Sequence, residues 1–265
     1  MITRTAAPPI LRLADAAAIL TLAAVGAALV LPAPYAAVAE PLRPGAWSQD
    51  TVSVPAALLL LAVNAMLRQG WAKGWLIWAG LTGYLLYAYA LFAFDGVMNP
   101  AYPLYLAVLA LSLLALLLFM RAVDPVRLRS AARPPPRRAV ALLFGLLVVM
   151  FTTLWAVQLA PAMAARQPLA GQTIFVLDLA VALPLTALTG WLMWRASPVG
   201  DLLAIPMLMK VAVLGLSVFL GTLYGWLLFG RAFPPFELAL YALMGFGPAL
   251  LIRPVWKGLE VSAPD

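Results

Sequence analysis

The sequence predicts an all-α integral membrane protein of about eight transmembrane helices, for three reasons. Of the 265 residues, 65% are hydrophobic and 10% are charged, whereas roughly 45–50% and 25% are usual in soluble domains. A water-soluble fold of this length could not bury so much apolar surface. The basic residues also concentrate in short segments between apolar runs that are long enough to cross a bilayer. The lipid bilayer is therefore the expected partner of most of the chain.

The individual spans follow from these apolar runs. The second run is short for a hydrocarbon core of about 30 Å, which favours an earlier start or a tilt. The seventh run is long and contains Pro206, which favours a strong tilt or a break in the helix. We expect spans at 12–33, 54–68, 74–94, 104–120, 139–160, 172–194, 201–229 and 235–252.

The distribution of basic residues predicts how these spans are oriented. If the N-terminus is cytoplasmic and the spans alternate, far more lysines and arginines fall inside than outside, as the positive-inside rule requires. Both termini are then cytoplasmic, and the abundance of alanine, arginine and proline favours a bacterial plasma membrane. The inside residues are Arg4, Arg12, Arg68, Lys73, the six arginines of 121–138, Arg195, Arg253 and Lys257, and the outside residues are Arg43, Arg166 and Arg231.

The first 39 residues permit one alternative. Arg4 and Arg12, an apolar stretch and the small residues 37–39 resemble a secretory signal peptide with its cleavage site. The apolar stretch is longer than the roughly 7–15 residues of a signal-peptide core. A first transmembrane span is therefore the preferred prediction.

A segment rich in proline and arginine, 121–138, divides the chain near its middle. Residues 1–120 then hold spans one to four, and residues 139–265 hold spans five to eight. Three consecutive prolines exclude a helix at that point, so we expect a cytoplasmic linker. Its six arginines predict contact with anionic lipids of the inner leaflet. The alternative is that these arginines only fix the topology. The net charge of +7 is explained in this way without a nucleic-acid partner.

The two halves of the chain also resemble each other. APYAAVAEPL at 33–42 and APAMAARQPL at 160–169 match at five of ten positions, and each follows the first span of its half. Because both halves begin on the same side of the membrane, this pattern predicts two parallel four-helix repeats. Chance matches are the alternative, since alanine and leucine are very common in this chain.

The chain contains no cysteine and no histidine. This excludes disulfides, thiolate and zinc–histidine sites, axial haem histidines and Ser-His-Asp triads. The segments between the apolar runs carry no phosphate-binding glycine loop or nucleotide fingerprint either. We therefore expect no bound cofactor.

Two charged residues lie deep inside predicted spans, where a charge costs at least about 2.5–3.5 kcal/mol. Asp178 is in span six, and Lys210 is in span seven, about nine residues or ~14 Å from its cytoplasmic end. Pro184 follows Asp178 and is expected to loosen that helix. Spans six and seven are joined by a short connection, so we predict that the two side chains face each other or share a water-filled cavity. They form either a substrate or ion site or a static ion pair that fixes helix register.

Four further residues are weaker site candidates, and each has an ordinary structural explanation. Glu237 lies in the first turn of span eight, where the helix dipole favours an acid. Tyr84 and Tyr87 share a face of span three and could contact an aromatic or lipidic ligand. Asn64 in span two could equally provide an interhelical hydrogen bond.

These features favour a secondary transporter or channel for a small solute or ion, with Asp178 and Lys210 at its site. A non-catalytic structural or accessory subunit of a membrane complex is the first alternative. An intramembrane enzyme that modifies lipid is the second, since aspartate, lysine and tyrosine can perform acid–base chemistry. An enzymatic role is the less favoured, because the spans carry no dense carboxylate cluster for a metal–diphosphate.

Overall fold

The computed structural model describes residues 6–31 and 33–261, and this part of the chain forms eight long helices. Each is long and apolar enough to cross a membrane, which indicates a multi-pass membrane protein. Arg4, one of the predicted cytoplasmic arginines, lies outside the described residues. The helices are α1 (Ala7–Val30), α2 (Arg43–Arg68), α3 (Trp75–Phe94), α4 (Tyr102–Ala122), α5 (Arg137–Ala165), α6 (Gln172–Trp194), α7 (Pro198–Leu227) and α8 (Pro235–Lys257).

The helices match the predicted spans in number and order. Helix α2 begins at Arg43, the earlier start that the short second run allowed, and Pro44 fits its first turn, where the missing N–H of proline is not needed. Helix α7 continues through Pro206 as one helix, so of the two alternatives, a strong tilt or a break, the break is absent. The early part of α2 is polar, and four of its polar side chains are buried inside the bundle: Ser48, Gln49, Asp50 and Ser53.

The outer surface of the bundle is apolar. Large side chains such as Leu114, Leu146 and Leu250 are exposed along the helices. A soluble monomer seldom exposes so much apolar area, whereas lipid tails accept it. This surface is compatible with contact with a lipid bilayer.

The short connections gather at the two ends of the bundle, which we call the terminal face and the opposite face. Lys73 Nζ donates to the carbonyl of Leu259 at 2.6 Å and so joins two connections of the terminal face. Asn99 Nδ2 donates to the carbonyl of Pro34 at 2.9 Å on the opposite face. Which face is cytoplasmic stays a prediction from the charges. The terminal face comprises 69–74, 123–136, 195–197 and 258–261, and the opposite face comprises 33–42, 95–101, 166–171 and 228–234.

Each half of the chain packs as a ring of four helices. In the first half α1 contacts α2 and α4, and α3 contacts the same two helices. In the second half α6 contacts α5 and α7, and α8 contacts the same two helices. The halves meet mainly where α2 and α3 pack against α7. The internal repeat stays a prediction, because rings of this kind follow from chain order in any up-and-down bundle.

Glycines bring α7 very close to its neighbours. A Cβ atom added at Gly80 of α3 would lie 2.5 Å from Cβ of Met209 on α7. A Cβ atom added at Gly215 of α7 would lie 2.4 Å from the backbone nitrogen of Gly245 on α8. Small residues allow this approach of backbones, as in other membrane helix pairs. Helix α7 therefore occupies the middle of the molecule, with α2, α3, α6 and α8 around it.

The linker between α4 and α5 is held in place by the C-terminal segment. Strand β1 (Leu128–Ser130) pairs antiparallel with strand β2 (Leu259–Val261). Two guanidinium nitrogens of Arg137, Nε and Nη2, donate to Asp201 at the start of α7, with N–O distances of 2.8 and 2.6 Å. No helix passes through the three prolines at 134–136. Contact of this linker with anionic lipid stays a prediction.

Candidate functional site

Helix α6 carries Asp178 at the start of a π-helical turn, Asp178–Ala182. Pro184 has no backbone N–H, so it leaves the carbonyl four residues earlier without its usual helical partner. The wider π turn accommodates this loss, and such turns often mark functional positions in helices. The buried acid is therefore next to a locally irregular stretch of backbone, in the helix that Pro184 was expected to loosen.

The carboxylate of Asp178 is held by two donors from other helices. The Tyr87 hydroxyl of α3 donates to Oδ1 at 2.6 Å, and the Trp155 indole of α5 donates to Oδ2 at 2.9 Å. Only 9% of the Asp178 residue surface is exposed. Hydrogen bonds to a charged acceptor are the strong ones, so this carboxylate has a fixed position.

Lys210 of α7 also contacts Tyr87. Its Nζ atom is 4.1 Å from the centroid of the Tyr87 ring, within the range of a cation–π interaction. Lys210 and Asp178 line one small cavity of about 30 Å³, enough for a water molecule or two. Within the described residues no direct ion pair joins them. The structure thus brings the two predicted residues together at one small cavity, and Tyr87 contacts both of them.

A second, much larger cavity of about 820 Å³ leads from the opposite face to Asp178. Its inner end is formed by Tyr87, Asp178 and Met244, and Asp178 borders both cavities. Its volume is in the upper part of the range of about 300–1,000 Å³ that small-molecule pockets occupy. Its mouth is lined by parts of the connections 37–39, 95–97, 170–171 and 231–234.

The charged residues along this cavity are mainly acidic. Asp95 and Glu237 lie along it together with Asp178, and Arg231 is the basic residue among those that line it. Glu237 is exposed, in the first turn of α8. Arg231 Nη2 donates to the carbonyl of Glu40 at 3.0 Å, so its side chain links the α7–α8 connection to the segment before α2.

Aromatic side chains surround the inner part of the cavity. Trp155 and Phe175 meet edge to face with their centroids 5.0 Å apart. Phe151 stacks on Tyr241 with their centroids 6.4 Å apart. All four line the cavity that reaches Asp178. The sequence prediction did not include these four residues, because the sequence of an apolar helix does not show whether an aromatic side chain faces lipid or a cavity. The spacing of Phe151 and Trp155 indicates only that they share a helix face.

Two of the predicted residues do not line either cavity. The Tyr84 side chain is buried, and its hydroxyl lies 3.2 Å from Oγ of Ser53 on α2. Asn64 Nδ2 donates to Asp15 Oδ1 at 2.6 Å, and Arg68 forms an ion pair with the same aspartate. Asn64 thus joins α1 to α2 through an interhelical hydrogen bond, which is the structural alternative given for it in the sequence analysis.

Another buried acid, Asp50, is absent from the sequence prediction. It is 6% exposed, and its carboxylate accepts a hydrogen bond from the Tyr35 hydroxyl. Tyr35 lies in the connection before α2 and packs on Trp47, with centroids 5.7 Å apart. Burial, together with the charge of Asp50, raises the pKa of Tyr35 well above its usual value of about 10. Asp50 was missed because the segment before residue 54 was placed outside the span.

No protein-family model, curated protein or solved structure matches this chain. The function of the site is therefore inferred from the geometry of its own residues.

Proposed function

We propose that this protein is a secondary transporter or channel for a small solute or ion, and that Asp178 and Lys210 form its site inside the membrane. The observation that supports this most directly is the cavity of about 820 Å³ that reaches from one end of the bundle to a buried carboxylate. If the termini are cytoplasmic, as the charges predict, this cavity opens to the outside of a plasma membrane.

The arrangement of charges provides a way to bind and release a ligand. The ammonium group of Lys210 balances the carboxylate of Asp178, and Tyr87 contacts both groups. A charged ligand or a proton that enters from the large cavity reaches Asp178 and competes for one member of this charged pair. Binding is thereby coupled to the charge state of the pair.

The region beyond Asp178 favours a transporter over an open pore. The small cavity there holds only about 30 Å³ and is lined by apolar side chains such as Leu147, Val211 and Leu214. Passage to the terminal face therefore requires a rearrangement, as alternating access does. The π-helical turn Asp178–Ala182 lies at the boundary and is a natural place for α6 to bend.

One observation favours the alternative of a non-catalytic subunit. The bonds from Tyr87 and Trp155 to Asp178 connect α3, α5 and α6, and a network of this kind also fixes helix positions. Transport is preferred because a purely structural network does not need a large cavity beside it.

Flux through reconstituted vesicles tests the proposal. We expect the parent protein to exceed empty liposomes for at least one class of solute in a panel of ions, amines, acids and sugars. Asp178→Asn and Lys210→Met remove one charge each and should lower that flux about tenfold or more. Asp124→Asn is the matched control, because Asp124 is exposed in the linker on the terminal face.

Two outcomes would overturn the proposal. If the parent protein and all variants behave like empty liposomes for every solute, transport is wrong and the subunit role is preferred. If flux occurs but neither Asp178→Asn nor Lys210→Met changes it, the protein transports a solute through a different site.

A further inference from the structure

We infer that the ligand of the large cavity is a lipophilic organic cation, an apolar molecule that carries one positive charge. A quaternary ammonium, a phosphonium or a protonated hydrophobic amine has this chemistry. The inference rests on the proposed function and names the substrate class of the same site. It follows from the size of the cavity, the charge of its lining and the groups around Asp178.

The size and walls of the cavity suit an organic molecule. A volume of about 820 Å³ holds a ligand much larger than a hydrated ion. Aliphatic and aromatic side chains of α3, α5, α6, α7 and α8 form most of the wall, including Leu91, Ile174 and Val218. A hard metal cation gains little from such walls, because it binds through six or more oxygen ligands.

The charge of the lining favours a cation. Asp178 stands at the inner end, and Asp95 and Glu237 lie along the same cavity. Arg231 also lines the mouth and keeps its positive charge, because the carbonyl of Glu40 that accepts its hydrogen bond is neutral; the charged lining is therefore three acids and one base. Of the two cavities, Lys210 lines only the small one, and its ammonium group lies over the Tyr87 ring. An anion that passes Arg231 would therefore meet carboxylates before it meets Lys210.

The groups around Asp178 select the kind of cation. Its two oxygens already accept hydrogen bonds from Tyr87 and Trp155, which hold the negative charge in place. A quaternary cation has no hydrogen-bond donor and needs only the charge. The rings of Phe151, Trp155 and Tyr241 line the same end of the cavity, and aromatic faces attract such cations. A fixed carboxylate beside aromatic rings is thus matched to a lipophilic cation.

A pair of ions with the same shape and opposite charge tests this inference. Tetraphenylphosphonium and tetraphenylborate would be measured by equilibrium dialysis with the purified full chain in detergent. We expect saturable binding of tetraphenylphosphonium, displaced by other lipophilic cations, and no saturable binding of tetraphenylborate. Asp178→Asn should weaken tetraphenylphosphonium binding about tenfold or more. Phe151→Leu, which replaces a ring with an aliphatic chain, should weaken it about threefold.

The control and the opposing outcomes keep this test independent of the flux assay. Asp124→Asn should bind tetraphenylphosphonium as the parent protein does. Equal saturable binding of both ions, unchanged by Asp178→Asn, would mean simple partition into an apolar cavity and would overturn the inference. The absence of saturable tetraphenylphosphonium binding by a protein that melts cooperatively would also overturn the inference. If flux of a neutral or inorganic solute still depends on Asp178, the transport proposal stands while the cation class is wrong.

Discussion

Two buried aspartates, Asp178 and Asp50, invite comparison because each accepts a hydrogen bond from a tyrosine hydroxyl. Asp178 borders two cavities and has Lys210 nearby, whereas Asp50 lines neither cavity. Both are less than one-tenth exposed. Burial of an acid and a tyrosine partner are therefore not enough to indicate a binding site. Access from a cavity distinguishes the two.

The two regions also differ in how many elements they connect. At Asp178 the donors come from α3 and α5, and Lys210 comes from α7. At Asp50 the donor Tyr35 comes from the connection directly before α2, so the bond fixes local structure near one end of the bundle. We expect the first region to control ligand binding across the bundle, and the second to stabilise the connection between α1 and α2.

The largest expected difference between the regions is in access to water. Because the chain contains no cysteine, a single introduced thiol can be labelled cleanly. Ser217 lines the large cavity and is 5% exposed, while Ser53 packs beside Tyr84 and is 0% exposed. A charged methanethiosulfonate reagent should label Ser217→Cys about a hundredfold faster than Ser53→Cys, whose reaction requires local opening.

The labelling rates would be followed by mass spectrometry of the purified protein. Unmodified chain, which has no thiol, is the background control. Equal rates for the two cysteines would mean that the cavity does not admit water as far as Ser217. In that case, access from a cavity would not distinguish Asp178 from Asp50.

A smaller difference is expected in stability. Asp178→Leu leaves the Trp155 and Tyr87 donors without an acceptor and Lys210 without a counter-charge, at a cost of about 3–5 kcal/mol. Asp50→Leu leaves one hydroxyl without its acceptor, at a cost of about 1–3 kcal/mol. Denaturant titration in mixed micelles measures both free energies of unfolding. A larger loss for Asp50→Leu than for Asp178→Leu would contradict the assignment of the denser network to Asp178.

The smallest expected effect concerns alkaline pH at Tyr35. Its pKa is raised in the folded protein by burial, with the charge of Asp50 adding to this, so the unfolded chain loses the phenolic proton first. Tyr35 therefore contributes stability that is complete below pH 10 and declines as the pH rises above it. The melting temperature of the parent protein should fall more steeply over the interval above about pH 10, the usual tyrosine pKa, than that of Tyr35→Phe. Parallel melting curves over this interval would show that Tyr35 titrates normally.

The sequence was sufficient to predict the number and order of the helices, because apolar length is a strong signal in a chain of this composition. The sequence was also sufficient to predict that Asp178 and Lys210 lie close together. Spans six and seven are joined by a short connection, so few arrangements of the two helices are possible. Asp50 was missed because its neighbours, Ser48, Gln49 and Ser53, are polar and were assigned to a connection. The short second run was the available signal, as a span of normal length would have had to include them.

The surroundings of Asp178 could not have been predicted in the same way. Trp155 and Tyr241 come from helices far apart in sequence, and their positions depend on how the helices rotate about their axes. Tyr87 was predicted only as one of two tyrosines on a shared face of span three, and its contacts with both Asp178 and Lys210 depend on the close packing of α3 and α7 at Gly80. Such contacts depend on three-dimensional packing rather than on local pattern.

The pairing of β1 with β2 affects the order of events during biosynthesis. Strand β1 is translated directly after α4, whereas its partner is translated only after α8. At about 5–20 residues per second the linker waits several seconds for that partner. A ribosome stalled just before residue 259 would therefore hold a chain with all eight helices made and a linker still open to proteases. Protection of the linker would thus report that translation has passed β2.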